Sequence, residues 1–71
     1  MKQIEFDLQE QPFIELNRLL KHLSLVNSGG DANMFISDGQ VRVNGEVELR
    51  KRHKVRAGFK VEFDSYAVLV R

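Results

Sequence analysis

Apolar and polar residues alternate at the start of the chain: Ile4, Phe6 and Leu8 are separated by Glu5 and Asp7, the period-two pattern of a strand with one buried face. A strand is predicted over residues 3–8. The period then changes. Phe13, Leu16, Leu20 and Leu23 recur at helical spacing, Leu19 widens the stripe, and Pro12 stands where a first helical turn tolerates a missing N–H. A helix is predicted over residues 12–24, with Glu15, Asn17, Arg18, Lys21 and His22 on its polar face. A second helix is predicted over residues 29–37. Ser28 is its N-cap, Asp31 completes a capping box, Ala32, Phe35 and Ile36 form a short apolar stripe, and Gly39 is the left-handed terminator. The connection is short, so the helices should pack as neighbours.

Two hairpins follow. Asn44-Gly45 is a strong turn signal, and two registers compete for it. A two-residue loop sets Val43 opposite Glu46 and mixes apolar with charged residues. A three-residue loop with Gly45 left-handed pairs Val41 with Val47 and Arg42 with Glu46, sorting the faces, and is the predicted register. In the second hairpin, over residues 59–70, a turn at Asp64-Ser65 pairs Phe59, Val61 and Phe63 with Val70, Val68 and Tyr66. The predicted order is strand, helix, helix, then four short strands, an α+β fold with a small antiparallel-rich sheet.

With 71 residues, a chain of this size buries only about 60% of its unfolded surface. A single domain over residues 1–71 is expected. Hydrophobic residues make up 42% and charged residues 30%, the balance of a folded domain. Cysteine is absent, which excludes disulfides and cysteine-based metal sites. No apolar run approaches the roughly 18–20 residues of a membrane span, and the alternating N-terminus is unlike a signal peptide, so a cytoplasmic protein is expected. The net charge of +1 hides an asymmetry. Residues 1–39 carry three Lys/Arg and six Asp/Glu (−3), whereas residues 40–71 carry eight and four (+4).

That asymmetry directs attention to Arg50-Lys51-Arg52-His53-Lys54-Val55-Arg56, which holds five of the eleven Lys/Arg with no acid among them. Arg offers a planar fork for phosphate and Lys a point charge. If extended, the segment projects Arg50, Arg52, Lys54 and Arg56 to one side, with Arg42 near through the hairpin. A merely solubilising loop is the plainer reading of any one such charge, but a cluster of five points to nucleic acid. Arg18 and Lys21 read as an ordinary helix face first, and as an extension of the basic surface second. Phe35, Phe59 and Phe63 read as core, which leaves no surplus aromatics for a base-stacking platform and favours a folded RNA recognised by shape and phosphates. Catalysis finds no support: no Ser or Cys sits in a recognisable triad, and His22 and His53 have no companion at metal-ligand spacing. No catalytic residue, metal or cofactor is expected. Gly29-Gly30 lacks the rest of a Walker loop, but would let a backbone approach the second helix closely.

The leucines of the first helix, Ser28-Gly29-Gly30-Asp31-Ala32 and Ile36-Ser37-Asp38-Gly39-Gln40-Val41-Arg42-Val43-Asn44-Gly45 together resemble the alpha-L RNA-binding motif of the S-four superfamily. The likeness extends to small stand-alone bacterial members of the YbcJ type, which share a Glu-x-Arg-Lys-Arg segment, here Glu48 to Arg52. It covers roughly residues 12–70, with the motif itself over about 12–58. The resemblance implies two packed helices over a small twisted sheet and RNA held by Ser28, Gly29 and Gly30 together with Arg42, Arg50, Lys51, Arg52 and Lys54. The basic run adds Arg56. Two departures, Gly29 where Arg is usual and Asn33 where Lys is usual, take charge off the second helix and shift the burden to residues 50–56. Gly58 matches the Gly of a Gly-Asp pair common in the superfamily, with Phe59 replacing the acid. The expected function is non-enzymatic binding of structured ribosomal or transfer RNA by a ribosome- or translation-associated monomer that takes no small-molecule substrate. The alternative is a protein-interaction adaptor docking its basic face on an acidic partner.

Overall fold

A computed structural model describes all residues, 1–71. Its elements run β1 (Lys2–Phe6), β2 (Ile14–Glu15), α1 (Leu16–His22), α2 (Gly29–Ser37), β3 (Val41–Val43), β4 (Glu46–Val47), β5 (Lys54–Val55), β6 (Lys60–Phe63) and β7 (Tyr66–Val70). Five strands form one sheet in the order β1-β7-β6-β3-β4, and β2 pairs with β5 in a separate two-stranded ribbon. The α+β class, the helix pair and the order of the main strands agree with the sequence reading; the β2–β5 ribbon was not foreseen.

β1 lies parallel to β7, Ile4 opposite Val68, and the other pairs of the main sheet are antiparallel. The first strand stops two residues sooner than its alternation suggests. Asp7 Oδ1 accepts from the Gln9 amide at 2.8 Å, and Gln9 and Glu10 adopt φ of 53° and 71°, a turn that ends the strand while Leu8 still reaches the core.

The first helix is shorter than the predicted span of 12–24, because Ile14-Glu15 is extended. Long-range pairing outcompetes the local apolar stripe: Ile14 aligns with Val55 and Glu15 with Lys54. Glu15, the N-cap, makes no side-chain capping bond. The amides of Leu16 and Asn17 instead donate to the carbonyls of His53 (2.9 Å) and Lys51 (3.0 Å), so the basic segment caps α1 through its backbone.

The second helix has the predicted bounds. Ser28 Oγ accepts from the Asp31 amide at 3.1 Å, although Asp31 makes no reciprocal bond, so half of the capping box forms. At the other end, Gln40 N–H donates to Phe35 O and Gly39 N–H to Ile36 O, with Gly39 at φ 76°, a Schellman ending.

The predicted register of the first hairpin is wrong. Arg42 pairs with Val47 and Val43 with Glu46 across a two-residue loop. Asn44 and Gly45 both have positive φ, 54° and 86°, the left-handed pair whose twist suits a two-residue hairpin. Asn44 is also tied to β6, its amide donating to Lys60 O and its Oδ1 accepting from Lys60 N. The mixed pairing is tolerated because β4 is a two-residue edge strand whose Val47 stays 48% exposed, so sorting its faces gains little. The second hairpin has the predicted register, Val61 opposite Val68 and Phe63 opposite Tyr66.

Leu16, Leu19 and Leu20 of α1, Ala32 and Ile36 of α2, and the inward residues Val41, Val43, Val61, Phe63, Val68 and Val70 of the sheet form one core, which Val55 joins from β5. Phe35 and Phe59, read as core, are half-buried at its margin. No ionisable side chain is buried in it.

Candidate nucleic-acid interface

The basic segment is a turn followed by a short strand. His53 N–H donates to Arg50 O at 3.2 Å, closing the turn, and extension is confined to Lys54–Val55. The single row of four cations foreseen for a fully extended segment does not form, but the turn still brings Arg50, Arg52, Lys54 and Arg56 to a common cleft of about 500 Å³, with His53 and Phe59 between them. The His53 and Phe59 rings lie nearly parallel with centroids 6.3 Å apart. Lys51 is exposed on the turn.

The four cations of the cleft are not equivalent. Arg50 is held by Glu48 through Nε (2.9 Å), Nη2 (3.1 Å) and its own amide (3.0 Å). Nη2 also lies 3.0 Å from His53 Nδ1 and donates to it when that nitrogen carries no proton. The hydrogen bond from the Arg50 side chain, against an opposing push from burial, lowers the Glu48 pKa to about 2 and raises that of Arg50. Arg52, Lys54 and Arg56 form no salt bridge.

A second cleft lies along α1, lined by Ile14, Asn17, Arg18, Lys21 and His22 and reaching Gly29 at the start of α2. The helix-two amides there are only partly used: Ser28 satisfies those of Asp31 and Ala32, and Gly29 and Gly30 have no partner within the chain. Asn33, one of the departures from the superfamily pattern, accepts from Asn17 Nδ2 at 3.1 Å and ties the helices together behind this cleft. A third cleft, from Gln11 to Glu15, shares Ile14 and Arg18 with the second and contains Phe13. Phe13 in turn lies under Lys54 and Arg56 of the first cleft. These clefts adjoin along one side, from the start of α2, across α1 and the β2–β5 ribbon, to the basic turn; Arg18, Lys21, Arg52, Lys54 and Arg56 lie along it, with Glu15 among them.

Of the residues singled out from the sequence, Gly29, Arg50, Arg52, Lys54 and Arg56 line this face. Ser28 and Gly30 are exposed at the helix start, and Lys51 is exposed on the turn. Arg42 is placed elsewhere. It projects from the main sheet opposite Glu62 and lines a different cleft with Gln40 and Asp64. Arg18 and Lys21, read chiefly as an ordinary helix face, line the cleft that reaches Gly29, and Phe13, read as part of the apolar stripe of the first helix, lies beneath Lys54 and Arg56 instead. The signal available for Arg18 and Lys21 was their position on the helix that must neighbour Gly29. No group of His, Cys, Asp or Glu residues is arranged to hold a metal, and no helix is long and apolar enough to cross a membrane.

Two short helices packed in sequence, the second starting at Ser-Gly-Gly and ending in a Gly-Gln-Val turn into a hairpin, laid on a small mixed sheet, make this an alpha-L fold. The solution structure of YbcJ from Escherichia coli, described as revealing an alpha-L motif involved in RNA-binding, superposes with a TM-score of 0.72 at 44% identity, covering 93% of this chain and 84% of that one. The S4 domain model matches residues 6–71, and the chain belongs to that family. By sequence it is 45% identical over 65 residues to the "Putative RNA-binding protein YbcJ" of Escherichia coli K12, covering 92% of this chain and 93% of that protein. It is 36% identical over 53 residues, 75% of each chain, to the "Probable ribosome maturation protein RlbA" of Bacillus subtilis.

Proposed function

We propose that the protein is a non-enzymatic RNA-binding module, acting as a cytoplasmic monomer on structured ribosomal or transfer RNA. The observation that carries this reading is the run of adjoining clefts from the open N-terminus of α2 past Arg18 and Lys21 to Arg52, Lys54 and Arg56, cations of which none is neutralised by an ion pair. The descriptions of YbcJ as RNA-binding and of RlbA as a ribosome maturation protein support RNA as partner and the ribosome as setting. Ser28, Gly29 and Gly30 would receive a backbone phosphate, the basic turn with Lys51 a second stretch of the same strand or its complement. Arg50 serves this reading from behind, as the brace of the turn, and Arg42 stands apart from the face.

Fluorescence anisotropy with a labelled ribosomal RNA stem-loop tests it. With about five phosphate contacts, log affinity should fall against log salt with a slope of about −3.5 to −4.5, at roughly 0.7–0.9 per contact. Changing Lys51 and Arg52 together to Ala should weaken binding about tenfold without shifting the unfolding midpoint, because both side chains are exposed. A salt-independent affinity, or partners captured from lysate that survive ribonuclease, would replace this reading with protein recognition.

A further inference from the structure

The β2–β5 ribbon has two faces. Ile14 and Val55 turn inward to the core, and the strand period puts Phe13, Glu15, Lys54 and Arg56 on the outside. There Lys54 Nζ stands 4.9 Å and the Arg56 guanidinium carbon 5.8 Å from the centre of the Phe13 ring, both within cation–π range. Phe13 is half-buried, yet it is not among the partly buried residues packed on the core, as Phe6, Phe35 and Phe59 are. Its cover is the two cations. Glu15, on the same face, forms a salt bridge with neither.

We propose that Phe13 is a positioning residue that holds Lys54 and Arg56 side by side as a clamp for backbone phosphates of the bound RNA. The inference rests on the RNA reading above and assigns a role to a residue outside the basic segment. A free Lys or Arg loses much rotamer freedom when it grips a phosphate. The uncharged ring draws both cations to one place before RNA arrives and does not neutralise them, as a carboxylate would. Arg50 is ordered by pairing with the Glu48 carboxylate; Lys54 and Arg56 are ordered with no carboxylate paired to them.

Three variants, Phe13→Leu, Phe13→Tyr and Phe13→Trp, separate this role from others, with a labelled RNA stem-loop and a labelled oligouridylate as probes. In the free protein, the side-chain methylene protons of Lys54 and Arg56 should show upfield ring-current shifts that vanish in Phe13→Leu. That variant should bind the stem-loop about five- to tenfold more weakly, with an unchanged salt slope because both charges remain and an unchanged unfolding midpoint because the ring is off the core. Phe13→Tyr and Phe13→Trp should bind as the parent does, the indole at least as well. Parent-like binding by Phe13→Leu, or a loss that Trp does not restore, overturns the clamp. A loss seen with oligouridylate alone also overturns it, since the ring would then be stacking on a base. If the parent itself ignores both RNAs, the RNA reading falls with it. If the parent binds and the Lys51/Arg52 double variant is weakened while Phe13→Leu is not, the clamp alone fails.

Discussion

Within the basic segment, neighbouring cations of like type are put to different uses by what lies beneath them. The Arg50 guanidinium is 73% exposed, but the Glu48 carboxylate under it is only 15% exposed, so the acid is turned in and the arginine reaches over it. The brace holds the turn, and Arg50 lines the cleft with its charge already paired. Two outcomes follow for Glu48→Gln. The parent carboxyl ionises near pH 2 in the fold against an ordinary 4.5, so its stabilising effect is complete above about pH 4.5 and is lost as pH falls toward 2. Urea unfolding at a series of acidic pH values should therefore show the parent losing stability across that window more steeply than the variant; parallel curves would mean the carboxylate contributes nothing. The variant also frees the Arg50 charge, and its salt slope for RNA should steepen by about 0.7–0.9, the increment of one further phosphate contact.

At the scale of elements, the limits of the second helix are set within its own segment and were legible, whereas the start of the first depends on distant partners and was not. The second helix is set by Ser28 at one end and Gly39 at the other. Ser28→Ala should cost about 1 kcal/mol of stability in a denaturant titration, the usual loss for removing an N-cap hydroxyl. The start of α1 was illegible for the opposite reason. Pro12 and Phe13 fit a helical stripe, but Ile14 is claimed by Val55, and the amides of Leu16 and Asn17 by the carbonyls of His53 and Lys51, far along the chain. Because the same misreading buried Phe13 in a helix stripe, it also hid the aromatic floor beneath Lys54 and Arg56. The first hairpin failed on a different ground: sorting faces assumes that both strands are buried on one side, and β4 is an exposed edge. Val55, fully buried where the ribbon meets the core, tests the link between ribbon and face. Val55→Ala should destabilise the fold by about 1–3 kcal/mol and weaken RNA binding as well, since Lys54 and Arg56 flank it. Loss of stability with RNA affinity intact would show that the face does not depend on the ribbon.

Over the whole molecule, the split into an acidic first half and a basic second half is a property of the chain and not of the surface. Arg18 and Lys21 come from residues 1–39 yet line the cleft that adjoins the ribbon, while Arg42, from the basic half, lines a different cleft beside Glu62. Folding sorts the charges more finely than position along the chain does. It also ties the two ends together: β1 at the start of the chain finds its partner only in β7, the last strand, and the Arg71 side chain is paired with Glu5. During synthesis this imposes an order in time. The helices are too short to hold alone, and the core they share with Val61, Val68 and Val70 must wait, as β1 must, until residues 66–70 have left the ribosome tunnel. Nascent chains halted before that point should therefore stay open to protease, and the basic turn, anchored through Val55 in the same core, should form only once they are released.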